Sequence, residues 1–208
     1  IEAVDVVYVL TNMETHHAYC MQAIEAGKHV LVEKPTAVTI EEIEEIKAFA
    51  HQKGVQVAPV HNYVYEAPVM RAKELIESGK LGDLVSIYVL YNIHHPEEVA
   101  ARYPGVIRQI LTHHAYCTLY LVGQPQLVSC MKATVNDGSV PQENLAMVTM
   151  KMHNNALSHL CASFASDDHA GDPWTFMIKV IGTKGATRYS YRDWVENTPA
   201  VVHSQTYS

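Results

Sequence analysis

Between residues 4 and 60 the apolar positions switch back and forth between the period of a strand and that of a helix. Residues 4–11, Val-Asp-Val-Val-Tyr-Val-Leu-Thr, carry apolar side chains on both faces, as a central parallel strand does. From Thr15 or His16 to Ala26 the pattern predicts a helix of about three turns, closed by Gly27. Val30-Leu31-Val32 is a branched run short enough for a buried strand, and Glu33-Lys34-Pro35 ends it. Thr39 and Glu42 have the spacing of a capping box, Ile40, Ile43, Ile46 and Phe49 recur at helical spacing, and Gly54 closes that helix. Residues 55–60 form a further strand. This β-α-β-α-β order is that of the C-terminal part of a Rossmann-type parallel sheet, in which ligands sit beyond the carboxyl ends of the strands. Glu33 and Lys34 fall at such an end.

The pattern then changes. A helix is predicted from Pro68 to Ser78, with Gly79 after it, followed by a strand over 84–91 and a loop over 92–104. A second helix spans 106–122 and stops at Gly123-Gln124-Pro125. Strands follow over 126–136, 144–152, 156–165, 174–182 and 186–191, with Gly182-Thr183-Lys184-Gly185 as a hairpin turn. The expected fold class is therefore α/β and α+β, the partial parallel sheet being followed by a domain with a large, mostly antiparallel open sheet. The expected division is 1–62 for the nucleotide domain, 63–82 for a linking helix and 83–208 for the substrate domain.

The 106–122 helix carries two stripes. Ile107, Ile110, Leu111, His114, Cys117, Thr118 and Leu121 trace a buried face. Gln109, His113, Tyr116 and Tyr120 trace a second face, which has hydrogen-bonding groups where a solvated face would more often show Lys and Glu. That composition suits a sugar-like ligand, so His113 is the site candidate and His114 a core histidine.

Composition removes several classes of function. The 208 residues contain 48% hydrophobic and 18% charged residues, which is the balance of a globular protein. The formal net charge of −7 and the lack of a basic cluster disfavour nucleic acid and anionic membranes as partners. No apolar run approaches a membrane span, and the first residues show no secretory pattern. Cys20, Cys117, Cys130 and Cys161 have no CxxC spacing, which favours reduced thiols and a cytoplasmic location. The pairs His16-His17, His94-His95 and His113-His114 invite a metal reading. Neighbours on a helix diverge by about 100°, however, and metal sites favour i, i+4 pairs, so no metal is assigned.

Asp5-Val6-Val7-Tyr8-Val9-Leu10-Thr11, His16, Ala26-Gly27-Lys28-His29-Val30 and Glu33-Lys34-Pro35, at this spacing, resemble the glucose–fructose oxidoreductase and inositol dehydrogenase family, Gfo/Idh/MocA. The resemblance implies a hydride transfer between NAD or NADP and a carbinol of a sugar, polyol or related small molecule. It also implies cofactor contacts from Thr11, Asn12, His16, Glu33, Lys34 and Pro35. Substrate contacts are implied for Lys34, Asn62, Tyr63, Gln109, His113 and Tyr116, and a homo-oligomer through the open sheet. The catalytic pair is Lys34, as proton acceptor or polariser, and His113, which exchanges that proton. Glu33 fits equally well as a strand-end carboxylate bonded to nearby backbone or to Lys34.

The chain departs from the family pattern in four places. Gln109 stands where members carry the Asp of an Asp-x-x-x-His motif, so an amide replaces the carboxylate that would orient and charge His113. Asn12-Met13 replaces a common Pro-Asn, and Val64 a common arginine. No G-x-G-x-x-G occurs, so the phosphate-binding half is expected upstream of this sequence, with the 208 residues alone binding dinucleotide weakly. Two further readings stay open: a non-catalytic sugar-binding or regulatory member of the same fold, and an enzyme that cleaves glycosides through a transient redox step.

Overall fold

The capping box of the second helix forms as expected, with Thr39 Oγ1 accepting from the Glu42 amide at 3.2 Å and the Glu42 carboxylate from the Thr39 amide at 3.3 Å. Gly54 closes that helix at φ 69°, in the left-handed region open to glycine. The computed structural model describes residues 3–135, 142–165, 174–191, 193–198 and 201–206. They divide into two units, Ile1–His61 and Asn62–Ser208.

In the first unit β1 (Val6–Val9), α1 (Met13–Glu25), β2 (His29–Val32), α2 (Ile40–Lys53) and β3 (Val57–Pro59) build a parallel sheet in the order β1-β2-β3. Val7 lies opposite Val30 and Val30 opposite Val57, so one face of all three strands meets the helices. Val9, Ile24, Val30, Val32 and Ile46 form its core. Two expectations change. The first strand is four residues long, and among the described residues it pairs only with β2, with Val6 and Tyr8 54% and 44% exposed. Successive strand side chains alternate faces, and among the described residues only the Val7–Val9 face is covered. On α2 the buried face starts at Ile46, whereas Ile40 and Ile43 are exposed.

The second unit opens with a 3-10 turn, Asn62–Tyr65, and α3 (Ala67–Glu77). Next come β4 (Leu84–Ile93), a short α4 (Glu97–Ala100), a π-helical turn at Ile107–Leu111 and α5 (Thr112–Val122). Seven strands complete it: β5 (Pro125–Ala133), β6 (Leu145–Met152), β7 (Leu157–Ser163), β8 (Trp174–Gly182), β9 (Ala186–Ser190), β10 (Asp193–Thr198) and β11 (Val201–Thr206). They form one eight-stranded sheet in the order β11-β10-β9-β8-β4-β7-β6-β5, antiparallel except where β4 runs parallel to β7. Ile87, Val89, Leu160, Phe176 and Ile178 face α3 and α5, whose Val69, Leu75, Cys117 and Leu121 complete the core.

The predicted strands start and stop within a few residues of the observed ones, except that residue 136 lies outside the described residues. Helix α3, read as a linker, packs into the core of this second unit. Strands β10 and β11 and the short α4 are additional. In β10 the inward positions are Trp194, Glu196 and Thr198, a pattern in which a carboxylate interrupts the apolar alternation. Glu196 is buried because the Arg71 guanidinium meets it with Nε to Oε2 at 3.3 Å and Nη2 to Oε1 at 3.4 Å. The sequence shows the charge; only the fold supplies its partner.

The helix expected over 106–122 is α-helical only from Thr112. Residues 107–111 make the wider π turn, and the Thr112 hydroxyl donates to the Arg108 carbonyl at 2.7 Å. A π turn takes up more residues than an α turn, so helical phase does not carry through it unchanged. Ile107, expected in the core, is consequently only half-buried.

Candidate active site

Every sequence-selected residue of the first unit lies at the carboxyl ends of β1 and β2. Thr11 and Asn12 lead from β1 into α1, where Asn12 takes the cap position without using its side chain as a cap. His16, one turn in, is 1% exposed. Its Nε2 is 2.8 Å from the Thr11 carbonyl and its Nδ1 2.8 Å from the Pro35 carbonyl, so one ring ties the two strand ends together. Both partners are acceptors, and a neutral imidazole donates to only one of them. The Lys34-Pro35 peptide is cis.

Glu33 is held in place from two sides. Its Oε1 accepts from the Tyr8 hydroxyl at 2.9 Å and its Oε2 from the Lys34 amide at 3.2 Å. Sequence reasoning missed Tyr8, which looked like one more apolar strand residue. The Lys34 side chain is half-buried; burial lowers its pKa from the usual lysine range, and the Glu33 carboxylate opposes that shift. The polar set at these ends, comprising the α1 amides, Thr11, Asn12 and the Lys34 amine, fits the nicotinamide end of a dinucleotide. A turn for the pyrophosphate does not occur in the sequence.

The second unit brings Asn62, Tyr63, His113 and Tyr116 together. Tyr116 is the hub: its oxygen accepts from the Tyr63 amide at 3.2 Å, its hydroxyl donates to Asn62 Oδ1 at 3.1 Å, and His113 Nδ1 lies 2.7 Å away. The Tyr63 ring sits 4.7 Å from the His113 ring and stacks at 4.7 Å on Phe176. Burial, aided by the Glu66 carboxylate, raises the pKa of both Tyr63 and Tyr116, which keeps the phenols protonated. Tyr116 was expected on an open polar face, yet it is 6% exposed. Gln109 lies half-buried on the π turn.

His114 behaves as the core residue that its stripe indicated. It is 1% exposed, and neither ring nitrogen has a hydrogen-bond partner among the described residues. Burial first, and then the neighbouring His113, push its pKa down to about 3. The other histidine pairs also separate by role: His17 meets Glu45 at 2.9 Å, and His95 packs on Phe164. Among the described residues no three His, Cys, Asp or Glu side chains converge as a metal site would require.

A Rossmann-type parallel sheet ending in a half-buried Glu-Lys-Pro, and an open, mostly antiparallel sheet carrying a histidine on its covering helix, define a class of two-domain folds. Residues 1–61 match the model of an oxidoreductase family with an NAD-binding Rossmann fold, and residues 69–188 that of the GFO/IDH/MocA C-terminal domain. The chain belongs to the GFO/IDH/MocA family. It is 36% identical over 134 residues to scyllo-inositol 2-dehydrogenase (NADP(+)) of Bacillus subtilis, a match covering 61% of this chain and 37% of the relative. It is 34% identical over 119 residues to 1,5-anhydro-D-fructose reductase of Ensifer adhaerens, covering 54% and 36%. An inositol dehydrogenase homolog from Azotobacter vinelandii, crystallised with NADH and myo-inositol, superposes with a TM-score of 0.85 at 21% identity, over 99% of this chain and 56% of that one. The matched regions thus span about a third of these curated relatives and about half of that structure. Among the described residues no helix is long and apolar enough to cross a membrane.

Proposed function

We propose that these residues belong to an NAD(P)-dependent oxidoreductase that transfers a hydride between the nicotinamide and a carbinol of a sugar or polyol. The observation that carries the proposal is the half-buried Lys34 amine at the carboxyl end of β2, its pKa lowered by burial, in a chain of this family. NAD or NADP, when bound, accepts or returns the hydride. The chain's own residues do the rest. Thr11, Asn12, His16, Glu33 and Pro35 shape the strand ends that would receive the nicotinamide. Lys34 is the candidate to take or polarise the hydroxyl proton, and His113 is a second candidate proton carrier. Asn62, Tyr63 and Gln109 hold the substrate hydroxyls or keep His113 in place. The polyol and sugar substrates named for the relatives support this class of substrate.

The test is cofactor reduction at 340 nm against a panel of inositols and aldoses, using the full-length protein. Reduction by at least one polyol is expected. Tight cofactor binding with no reduction by any member of the panel would overturn the dehydrogenase reading in favour of a non-catalytic sugar-binding protein.

A cytoplasmic location and a homo-oligomer complete the proposal. The three buried cysteines and the exposed Cys130 are all free thiols, which supports a reducing compartment. The sheet face away from α3 and α5 supports the oligomer, since Tyr88, Leu127, Met131, Met147 and Leu157 stand 40–78% exposed on it. Met131 and Met147 are paired across β5 and β6. Met131→Glu combined with Met147→Glu should therefore shift the sedimentation coefficient to that of a monomer without lowering the melting temperature. An unchanged mass would remove the open sheet from the interface.

A further inference from the structure

We propose that Asn62 and Tyr116 set the tautomer of His113, so that the family's missing carboxylate is replaced by a neutral amide–phenol chain that leaves Nε2 as the proton-accepting nitrogen. Counting donors leads there. The Tyr116 hydroxyl has one proton and two lone pairs. One lone pair accepts from the Tyr63 amide at 3.2 Å, and the proton goes to Asn62 Oδ1 at 3.1 Å. The contact with His113 Nδ1 at 2.7 Å can then be a hydrogen bond only if Nδ1 carries a proton for the remaining lone pair. A neutral ring protonated at Nδ1 is basic at Nε2. Burial, aided by the nearby Glu66, raises the Tyr116 pKa, so the phenol stays protonated; it orients the ring and fixes the site of protonation.

The direction of the whole chain depends on the Asn62 amide. Turned over, the amide would donate to the phenol oxygen, the phenol proton would pass to His113 Nδ1, and the histidine would carry its own proton on Nε2. That ring could not accept a proton at Nε2. Asn62 and Tyr116, first assigned to the substrate, thus become positioning residues that act through His113. The Tyr116 phenol, 2.7 Å from His113 Nδ1, takes the orienting role that the family's Asp holds at the sequence position of Gln109. The catalytic consequence rests on the dehydrogenase reading above, whereas the tautomer does not.

The two are tested separately. Long-range 15N–1H spectra of histidine-labelled 208-residue chain, at a pH where the ring is neutral, report which nitrogen of His113 is protonated, with His113→Gln assigning the signal. Wild type should show a protonated Nδ1 and an unprotonated Nε2. Asn62→Asp, which keeps an acceptor for the phenol, should show the same. Asn62→Leu should reverse the pair, because the phenol proton then goes to Nδ1. Nε2 protonation in wild type and Asn62→Asp overturns the proposal, and this comparison remains decisive if Asn62→Leu does not fold. In the full-length protein, Asn62→Leu should lower kcat about 10–100-fold with KM within about threefold, and Asn62→Asp should restore it. A reversed tautomer with undiminished kcat would leave the hydrogen-bond chain standing and overturn its role in turnover.

Discussion

Lys34→Met should lower kcat by about 10²–10⁴-fold in the turnover-competent protein and leave cofactor affinity nearly unchanged. Methionine matches the length and apolar stem of lysine and removes only the amine, so the strand end should keep its shape. An unperturbed lysine titrates near ~10.4 and is almost fully protonated at neutral pH, which makes it a poor base. Burial around Lys34 lowers that pKa, and Glu33 opposes the shift while being held by the Tyr8 hydroxyl and the Lys34 amide. A lowered pKa places part of the lysine in its neutral form at lower pH, so the alkaline shift of the pH–rate profile should shrink. Tyr8→Phe releases one tie on Glu33 and should alter that profile without abolishing turnover. Steady-state kinetics with cofactor titration calorimetry provide the check: full activity in Lys34→Met would return Lys34 to the status of a strand-end lysine.

The adjacent histidines should part company completely. His113→Ala should remove most turnover and leave the melting temperature within a few degrees of wild type, since the ring is only half-buried. His114→Ala should cost about 1–3 kcal/mol of stability and spare turnover per folded molecule. His114 also predicts a pH dependence. Its native pKa is lowered to about 3 by burial, against roughly 6.5 in an unfolded chain. Between those values the unfolded chain binds a proton that the native protein refuses, so stability is complete above about pH 6.5 and falls as the pH drops toward 3. His114→Leu removes both unpartnered nitrogens and that proton, and should flatten the acid side of the stability curve. Denaturant melts of the three variants from pH 7.5 to 4 measure the stabilities, and steady-state kcat per folded molecule measures the turnover. Activity lost in His114→Ala and stability lost in His113→Ala would mean the helix face had been assigned one residue out of phase.

Gln109→Asp bears on the same helix. A carboxylate at Gln109 would raise the His113 pKa and shift the acid limb of the rate profile only if it reached the ring. The π turn between Ile107 and Leu111 sets where that side chain points. Sequence spacing alone places Gln109 and His113 one α-helical turn apart, and that geometry does not hold across the wider turn.

Some features were legible from local rules because they depend on a few neighbouring residues. The parallel strand ending in Glu33-Lys34-Pro35, the capping box of Thr39 and Glu42, the glycine at 54 and the hairpin at 182–185 all form as the sequence indicates. The core role of His114 followed from its spacing with Ile110, Leu111 and Leu121. Other features were decided only by residues distant in sequence. Tyr8 became the partner of Glu33 because β1 and β2 lie side by side in parallel, 25 residues apart along the chain. Glu196 entered a core strand because Arg71, 125 residues away, neutralises it. Tyr116 turned from an open polar face into a buried hub because Asn62 and Tyr63 fold back onto it across more than 50 residues. Hydrophobic period reports which face of an element is buried, and capping rules report where it ends; neither says which lone pair of a buried oxygen meets which proton. That is a property of tertiary contact alone, and in the proposed arrangement it decides which nitrogen of His113 carries the proton.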